Sequence, residues 1–415
     1  MSNKDLDYDI IIVGGGLVGA GLACALAGLK SNGLKLRIAI IEAIPFRDAA
    51  QPSYDDRNIA LSQASYRIFN TLGLWPDIIK AATPIESIYI SNRGHFGAAR
   101  LHAKDHNVNA LGFVAQTRAI GEAFKQRLQT LDNITLICPA TIIDLHITDE
   151  RANVTIEQGE NSKTLSCSLV IGADGAKSKT RELLGITTHT YDHGQTAIVA
   201  NVTPEKPHNN AAYERFTDSG PLAFLPMSKQ RCALVYTVWH NEVEEILNLN
   251  DDDFLKRLSE RFGDRLGTLT KAGKRGSYPL ALNKADKTLA KRAILIGNAA
   301  HSLHPVAGQG FNLGVRDIAV LAEAVHDALN ENLDIGNEKC LKAYQQWRQT
   351  DQQRIISFTE GLVSVFSNPL SSVKLLRNIS LVGVDLLPPI KKMLARQTMG
   401  IAGKQPRLAR GIPLN

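Results

Sequence analysis

The sequence predicts an α/β fold: a Rossmann-like domain, an antiparallel sheet inserted into it, and a helical C-terminal region. Three observations carry this. Near the N-terminus an apolar run, Tyr8 to Val13 (YDIIIV), enters Gly14-Gly15-Gly16-Leu17-Val18-Gly19. Far downstream a second apolar run, Ala293 to Ile296 (AILI), enters the glycine-rich string Gly297 to Asp317 (GNAAHSLHPVAGQGFNLGVRD). Between them, residues 195–240 alternate, are rich in β-formers, and are broken by Pro204, Pro207, Pro221 and Pro226. Strand, glycine turn and helix at both ends, with a period-two segment between, is the order of a nucleotide domain that carries an insertion.

Gly14, Gly16 and Gly19 fit G-x-G-x-x-G. The first glycine permits the tight turn, the second lets backbone approach a pyrophosphate, and the third lets the helix pack close to the strand. The pyrophosphate then sits on free N–H groups at the positive end of the helix. A second strand, Leu36 to Ile41 (LRIAII), ends at Glu42, close to the spacing of a ribose-binding carboxylate. An acid there favours a free 2′-hydroxyl, hence FAD or NAD over NADP. The plainer alternative is a glycine turn that only packs a helix.

Residues 112–130 (GFVAQTRAIGEAFKQRLQT) read as a short strand entering an amphipathic helix. Ile134 to Ile137, Thr141 to His146 and Val154 to Ile156 read as strands of a meander, and Leu169 to Gly175 (LVIGADG) as an apolar strand ending in Asp-Gly. Asp251 to Phe262 is a helix with an acidic first turn. Residues 278–316 return to the first domain, and the remainder is mostly helical, broken by Pro369 and Pro388-Pro389. The expected organisation is a nucleotide domain over 1–185 and again over 278–350, a β-sheet substrate domain over 186–277, and a helical basic region over 351–415.

Composition bounds the reading. A chain of 415 residues, 44% hydrophobic and 21% charged, holds two domains and a sizeable core. Cys24, Cys138, Cys167, Cys232 and Cys340 are scattered, odd in number and form no C-x-x-C, which argues for a reducing compartment and against a disulfide framework or zinc site. No basic-then-apolar signal precedes the first strand, and no stretch approaches the ~18 uninterrupted apolar residues of a membrane span. Within the net charge of +6, residues 354–415 carry nine Lys/Arg against Glu360 and Asp385, so the rest of the chain is close to neutral. The same tail holds apolar runs such as Leu381 to Leu387. A basic, apolar-faced tail suits an anionic membrane surface, or a helical cap with a solvated basic rim. Aromatics are few and the basic residues cluster with apolar ones, which disfavours nucleic acid.

Three motifs in order, GGGLVG (14–19), IGADGAKSKTR (171–181) and IGNAAHSLHPVAGQGFNLGVRD (296–317), carry a resemblance. Over nearly its whole length the chain resembles the FAD-dependent aromatic hydroxylases, the group A flavoprotein monooxygenases with the p-hydroxybenzoate hydroxylase fold. The AGQGFNLG string, with FSNP at Phe366 to Pro369, is most similar to the ubiquinone-biosynthesis branch. Within it, GNAA resembles the 2-polyprenyl-6-methoxyphenol hydroxylases.

The resemblance implies roles. Gly14, Gly16, Gly19 and Glu42 hold the FAD adenosine half. Asp174 and Gly175 touch its pyrophosphate and help NAD(P)H engage, with Ser178 and Arg181 completing that motif; a helix-cap aspartate is the alternative for Asp174. Gln116 and Arg57 contact FAD, with an ordinary strand-to-loop polar residue and a surface arginine as the respective alternatives, and Arg118 is a weaker candidate of the same kind. In the usual G-D-A-A-H motif an acid binds the ribityl chain; here Asn298 replaces it, keeping an acceptor but losing the charge. Gly308 and Gly310 let backbone pass close to a flat ring, and Asn312 is placed to cap the next helix. That helix, opening through Pro305 to Asn312 with Phe311, turns its positive end to the flavin. His304 beside Pro305 walls the ring. His301 and His304 form an H-x-x-H pair, but no acidic or thiolate ligands accompany it, so no metal is expected. Phe224, Leu225 and Pro226 match the segment lining the substrate pocket, with plain β-core as the alternative.

The implied activity is hydroxylation of a prenylated phenol, a 2-polyprenyl-6-methoxyphenol, in ubiquinone biosynthesis, with FAD as cofactor and NADPH or NADH and O₂ as co-substrates. The implied setting is cytoplasmic, peripheral on the inner face of the membrane through the C-terminal region, with a ubiquinone-biosynthesis protein complex as partner. No general base is named. Two other readings stand beside it: another FAD oxidoreductase on this fold, such as a prenyl reductase, and a flavin-bound scaffold subunit. The halogenase string W-x-W-x-I-P and the hydrolase string G-x-S-x-G are absent.

Overall fold

The computed structural model describes residues 6–45, 58–302, 309–367 and 381–414. Its first sheet is built on β1 (Tyr8–Val13), buried from Ile10 onward. A strand apolar on both sides needs cover on both faces, the condition of a parallel sheet. β4 (Ile38–Ile41) flanks β1 on one side and β13 (Asn161–Gly172) on the other, both parallel to it. β10 (Ile134–Ile137) pairs parallel with β4, and β21 (Ala293–Leu295) pairs parallel with β13.

Ile134 to Ile137 is therefore not a meander strand. It is an outer parallel strand reached through α4 (Thr117–Gln129), because a chain leaving a helix packed on a sheet re-enters that sheet parallel. The meander is β11 (Thr141–Ile147), β12 (Ala152–Gln158) and the first half of β13. β13 thus pairs with β12 over 161–167 and with β1 over 167–172, one long strand serving both layers. The two-residue β20 (Leu289–Ala290) closes against β21.

Helices α1 (Leu17–Leu26), α4 and α8 (Gln309–Asn330) cover one face of this sheet, and the meander covers the other. The packing is close: a Cβ on Gly21 would stand 2.9 Å from Ile318 Cδ1 and 3.1 Å from Phe124 Cζ. A hairpin of β2 (Lys30–Ser31) and β3 (Leu34–Lys35) follows α1. A small sheet of β5 (Asn58–Ser62), β9 (Gly112–Gln116) and β6 (Ala82–Ile85), with α2 (Gln63–Thr71) and α3 (Trp75–Ile78), bridges to the second domain.

The second sheet has nine strands. Its centre is β14 (Thr188–Pro204), β15 (Ala211–Thr217), β16 (Gly220–Pro226) and β17 (Cys232–Trp239). One edge is β7 (Ser87–Asn92) with β8 (Ala98–His102); the other is β19 (Gly276–Ala285) with β22 (His301–Ser302), and β18 (Leu269–Ala272) pairs with β14. The sheet is thus not the single insertion 186–277. It borrows β7 and β8 from the first segment, and the boundary at 277 falls inside β19. Sheet edges are completed by whichever strands reach them, and sequence adjacency does not record that.

Helices α5 (Lys179–Leu183) and α6 (Val243–Asn248) are short. α7 (Asp251–Phe262) covers the outer face of the second sheet. It begins where Asn250 accepts from the Asp253 amide at 2.9 Å, buries Phe254, Leu255, Leu258 and Phe262 at helical spacing, and ends at Gly263 with φ +85°. α9 (Glu338–Ser367) runs through the expected boundary at 350. Beyond it, the helix Pro388–Thr398 stands apart from the chain end, where Leu408, Ala409 and Leu414 enter the main core. There Arg407 donates its amide to Glu323 at 2.6 Å, so the last stretch is a cap on the nucleotide domain. Among the described residues no helix is long and apolar enough to cross a membrane.

Burial pushes the thiols of Cys24, Cys167, Cys232 and Cys340 up to about 12. A disulfide-exchange reagent at pH 8 is therefore expected to titrate only half-buried Cys138 in the folded protein, and all five cysteines in denaturant. Rapid reaction of a second thiol under native conditions would contradict that packing.

Candidate functional site

A cavity of about 970 Å³ runs from the β1 glycine turn to the facing surface of the second sheet. Gly14, Gly16, Glu42, Asp174, Gly175, Asn298, Gly310, Phe311 and Asn312 line it, brought together from four separate stretches of chain.

The glycine turn is constrained on two sides. Gly14 has φ +101°, and a Cβ there would lie 2.5 Å from the Ala173 carbonyl oxygen, because the β13 exit crosses it. Gly19 packs so close that its Cβ would overlap the Gly14 carbonyl oxygen. Gly16 is different: it precedes α1 with extended backbone, φ −63° and ψ −175°, and faces the cavity. α1 has no side-chain cap and no acid in its first turn. Its first N–H groups therefore have no side chain to satisfy them, and an anion at that end is favoured. Glu42 ends β4 and accepts from the Gly15 amide at 2.6 Å and the Ile44 amide at 2.8 Å. Each carboxylate oxygen retains a lone pair, so the same side chain that shapes the turn still offers acceptors to a ribose.

Asp174 accepts from Ser178 Oγ at 2.5 Å and from Thr180 N and Oγ1, each at 2.9 Å. It organises the start of α5, and Ser178 in turn accepts from the Arg181 amide at 2.9 Å. Asp174 also lines the cavity, so the residue that organises the start of α5 faces the same space as the glycine turn. Arg181 joins two of the sequence motifs physically: Nη1 donates to the Ala299 carbonyl at 2.9 Å and Nη2 to the Ala176 carbonyl at 2.8 Å.

Gly297 turns with φ +56°, and Asn298 next to it is exposed into the cavity. Among the described residues outside its own helix, no atom lies within 4 Å of a Cβ built on Gly310, which lines the cavity. Asn312 does not cap the following helix. α8 already starts at Gln309, which puts Asn312 in its first turn. Its side chain instead accepts from the Ser62 amide at 2.8 Å and Ser65 Oγ at 2.7 Å and donates to the Ala60 carbonyl at 2.8 Å, latching α8 to β5 and α2. Gln116 ends β9 beside the cavity, but the wall there is formed by Thr117; Arg118 is exposed on α4. Arg57, His304, Pro305 and Gly308 lie outside the described residues.

The opposite wall corrects the substrate expectation. Of Phe224, Leu225 and Pro226, only Leu225 faces the cavity. Phe224 points to the other side and packs on Phe262 of α7 at 4.4 Å between ring centroids, as strand alternation requires. Pro226 is buried, opposite Cys232 in the ladder, and does not reach the wall. The wall residues missed by sequence reasoning are Ala223 and Val235, two residues or one strand away from Leu225, with Ile88 and Ile90 from β7. Alternation along β16 could have found Ala223; nothing local pointed to β7.

A buried ion network behind the Gly297 turn was also missed. Asp317 is fully buried; it accepts from the Gly297 amide at 2.9 Å, His301 Nε2 at 3.0 Å and Arg348 Nε at 2.7 Å. Arg348, from α9, also pairs with Asp351 and donates to the Leu313 carbonyl at 3.3 Å, while Arg316 pairs with Asp351 at 2.5 Å. Burial alone would raise the Asp317 carboxyl, but the Arg348 guanidinium and His301 hold it well below its usual value. Asp317 closes the last quoted motif, whereas Arg348 sits in an unremarkable helical stretch with no local signal.

These features fit a flavin dinucleotide: an uncapped helix end for the pyrophosphate, a carboxylate beside the ribose position, a glycine-lined opening for the ring, and an apolar sheet opposite. The comparisons agree. The family model described as "FAD binding domain" matches residues 7–359. The chain is 37% identical to "Ubiquinone hydroxylase UbiL" of Rhodospirillum rubrum over 99% of this chain and 95% of that one. It is 30% identical to "3-demethoxyubiquinol 3-hydroxylase" of Escherichia coli over 95% of this chain and 98% of that one. In fold it is similar to p-nitrophenol 4-monooxygenase PnpA from Pseudomonas putida, with a TM-score of 0.77, 18% identity, and 96% and 98% of the two chains covered.

Proposed function

The chain belongs to the FAD binding domain family, and from that premise we propose that it is an FAD-dependent monooxygenase that hydroxylates the ring of a prenylated phenol in ubiquinone biosynthesis. The carrying observation is one cavity that joins a dinucleotide cradle to an apolar sheet face. The names of its relatives, ubiquinone hydroxylases over nearly the full chain, support the substrate class.

FAD, when bound, supplies the chemistry of accepting electrons from NAD(P)H and delivering one oxygen atom of O₂ to the ring. The chain's own residues do the rest. Gly14, Gly16 and the α1 N-terminus would hold the FAD pyrophosphate and Glu42 the ribose, with Asp174 and Gly175 lining the same cavity. Asn298 would offer its carbonyl to the ribityl hydroxyls. The first turn of α8, latched by Asn312, presents a positive end to the ring. Leu225, Ala223, Val235, Ile88 and Ile90 would exclude water from the apolar part of the cavity, beside Tyr213, Glu214 and Thr237 on the same sheet.

The substrate we favour is a 2-polyprenyl-6-methoxyphenol, since the wall is apolar enough for a prenyl tail. NADPH or NADH acts as a transient reductant, because no second glycine fingerprint offers it a resident site. Work at the cytoplasmic face of a membrane, alone or within a biosynthetic protein complex, follows from such a substrate.

The test is NADPH and NADH oxidation by the FAD-loaded protein with and without a short-chain 2-prenyl-6-methoxyphenol, with product analysis. Stimulated oxidation and a ring carrying one added oxygen are expected. Bound FAD with neither stimulation nor product, across several prenylated phenols, would defeat the proposal.

A further inference from the structure

The helix Pro388–Thr398 has two faces with different roles. Ala395, and Met399 just past its end, are buried in a cluster with Leu101, Ala103 and Leu111, against which Ile88 also packs. Leu111, Ile88 and Thr398 line the cavity as well. The helix thus reaches the cavity at Thr398 and packs behind the wall residues Leu111 and Ile88.

Its other face is bare. Leu386, Leu387, Ile390 and Met393 are 71%, 50%, 38% and 68% exposed. At 100° per residue Ile390 and Met393 fall on one side of the helix, opposite Ala395 and Met399, while Leu386 and Leu387 precede it across the extended backbone at Leu387. Other large apolar residues exposed in the described chain, such as Leu34, Ile79, Phe96 and Leu136, stand singly along the sequence, the ordinary surface pattern.

Charge decides what covers this face. Lys392 and Arg396 are exposed on the same helix, which contains no acid. The one acid in residues 381–414, Asp385, is already matched by Arg100 at 2.9 Å and Lys391 at 3.5 Å. An apolar strip with a cationic rim complements an anionic interface whose interior is hydrocarbon.

We propose that the exposed face of the Pro388–Thr398 helix, with Leu386 and Leu387 before it, seats the protein on the anionic surface of a lipid bilayer, so that the apolar end of the cavity adjoins the lipid in which a prenylated ring is dissolved. This rests on the prenylated-phenol reading. It adds the particular surface that binds, as distinct from the chain end, which caps the nucleotide domain. The helix joins the two environments: one face touches the cavity wall and the other enters the interface.

The experiment is co-sedimentation of the full-length, FAD-loaded protein with vesicles of equal parts phosphatidylcholine and phosphatidylglycerol, and with phosphatidylcholine alone. Binding to the anionic vesicles, weakened by salt, is expected. The double variant Leu386→Ser/Met393→Ser should lose roughly tenfold or more in partitioning, since two apolar side chains no longer enter the interface. Leu34→Ser, equally exposed but far from the helix, should bind like the parent. All these changes lie on solvated positions and leave the core intact.

Three results would overturn the proposal: no binding by the parent protein, equal binding by the double variant, or a double variant that instead turns a dimer into a monomer, which would make a second copy the occupant. Because vesicle binding is measured without turnover, failure of the hydroxylase assay would count against the function and not against this surface.

Discussion

Gly16→Val protein is expected to purify folded and colourless. Gly16 has φ −63° and extended ψ, a conformation open to any residue, so a β-branched side chain adds no backbone strain there. Gly16 lines the cavity at the end of α1, so the added side chain should crowd the place proposed above for the pyrophosphate. Losing contact between an anion and the helix amides should weaken FAD binding by about 1.5–3 kcal/mol or more, one to two orders of magnitude. Gly19→Ala is the contrast: its Cβ would overlap the Gly14 carbonyl, so that variant should lose the fold along with the flavin. The flavin-to-protein ratio and the circular dichroism spectrum separate the two. A Gly16→Val protein that stays fully yellow would remove the turn from the cofactor site.

Asp317→Ala should be among the most destabilising single substitutions in the chain. It takes from Arg348, which is almost fully buried, one of its two carboxylate partners, Asp351 remaining, and deprives the Gly297 amide and His301 of their acceptor. Breaking one side of a buried ion pair costs about 3–5 kcal/mol. Replacing both partners by apolar residues, Asp317→Leu with Arg348→Met, should recover much of that loss, because no charge is then left uncompensated. Urea melts of the two single variants and the double variant measure it; three equal midpoints would mean the network carries no stability. FAD affinity should fall with Asp317→Ala too, since the Gly297 turn that presents Asn298 is pinned by this carboxylate.

The pH dependence has a definite sign. Asp317 has a folded-state value below its unfolded one, so its contribution is fully present above about pH 4, the ordinary range of a free carboxyl. It is lost as pH falls through the lowered folded value. Around neutrality the network should be insensitive to the Asp317 proton.

The parallel sheet and its glycine turn were legible because they are local. YDIIIV cannot alternate, so it must be covered on both faces, and G-x-G-x-x-G has few other uses after such a strand. The motif string at 296–317 was legible for the same reason, and so was α7, with Asn250, three aspartates and Gly263 marking its ends. The parts that were misread depend on contacts between distant segments. Ile134 to Ile137 has the pattern of any short strand, and only the position of α4 makes it parallel to β4. Asn312 looks like a cap until α8 is seen to start three residues earlier, with the amide carbonyl spent on Ser62 and Ser65. Phe224 and Leu225 are equally apolar, and the pleat alone decides which of them meets the cavity.

By itself, then, the sequence determined the fold class, the glycine turn at residues 14–19 and the flavin family to which the chain belongs. Each of these is written in short windows where backbone sterics and hydrophobic period leave few alternatives. The tertiary structure alone decided which strands complete the second sheet, which side chains wall the cavity, that Arg348 neutralises Asp317 across 31 residues, and that one amphipathic helix lies between the cavity and solvent. Those depend on long-range packing, where a side chain's role is set by what the rest of the chain brings to it.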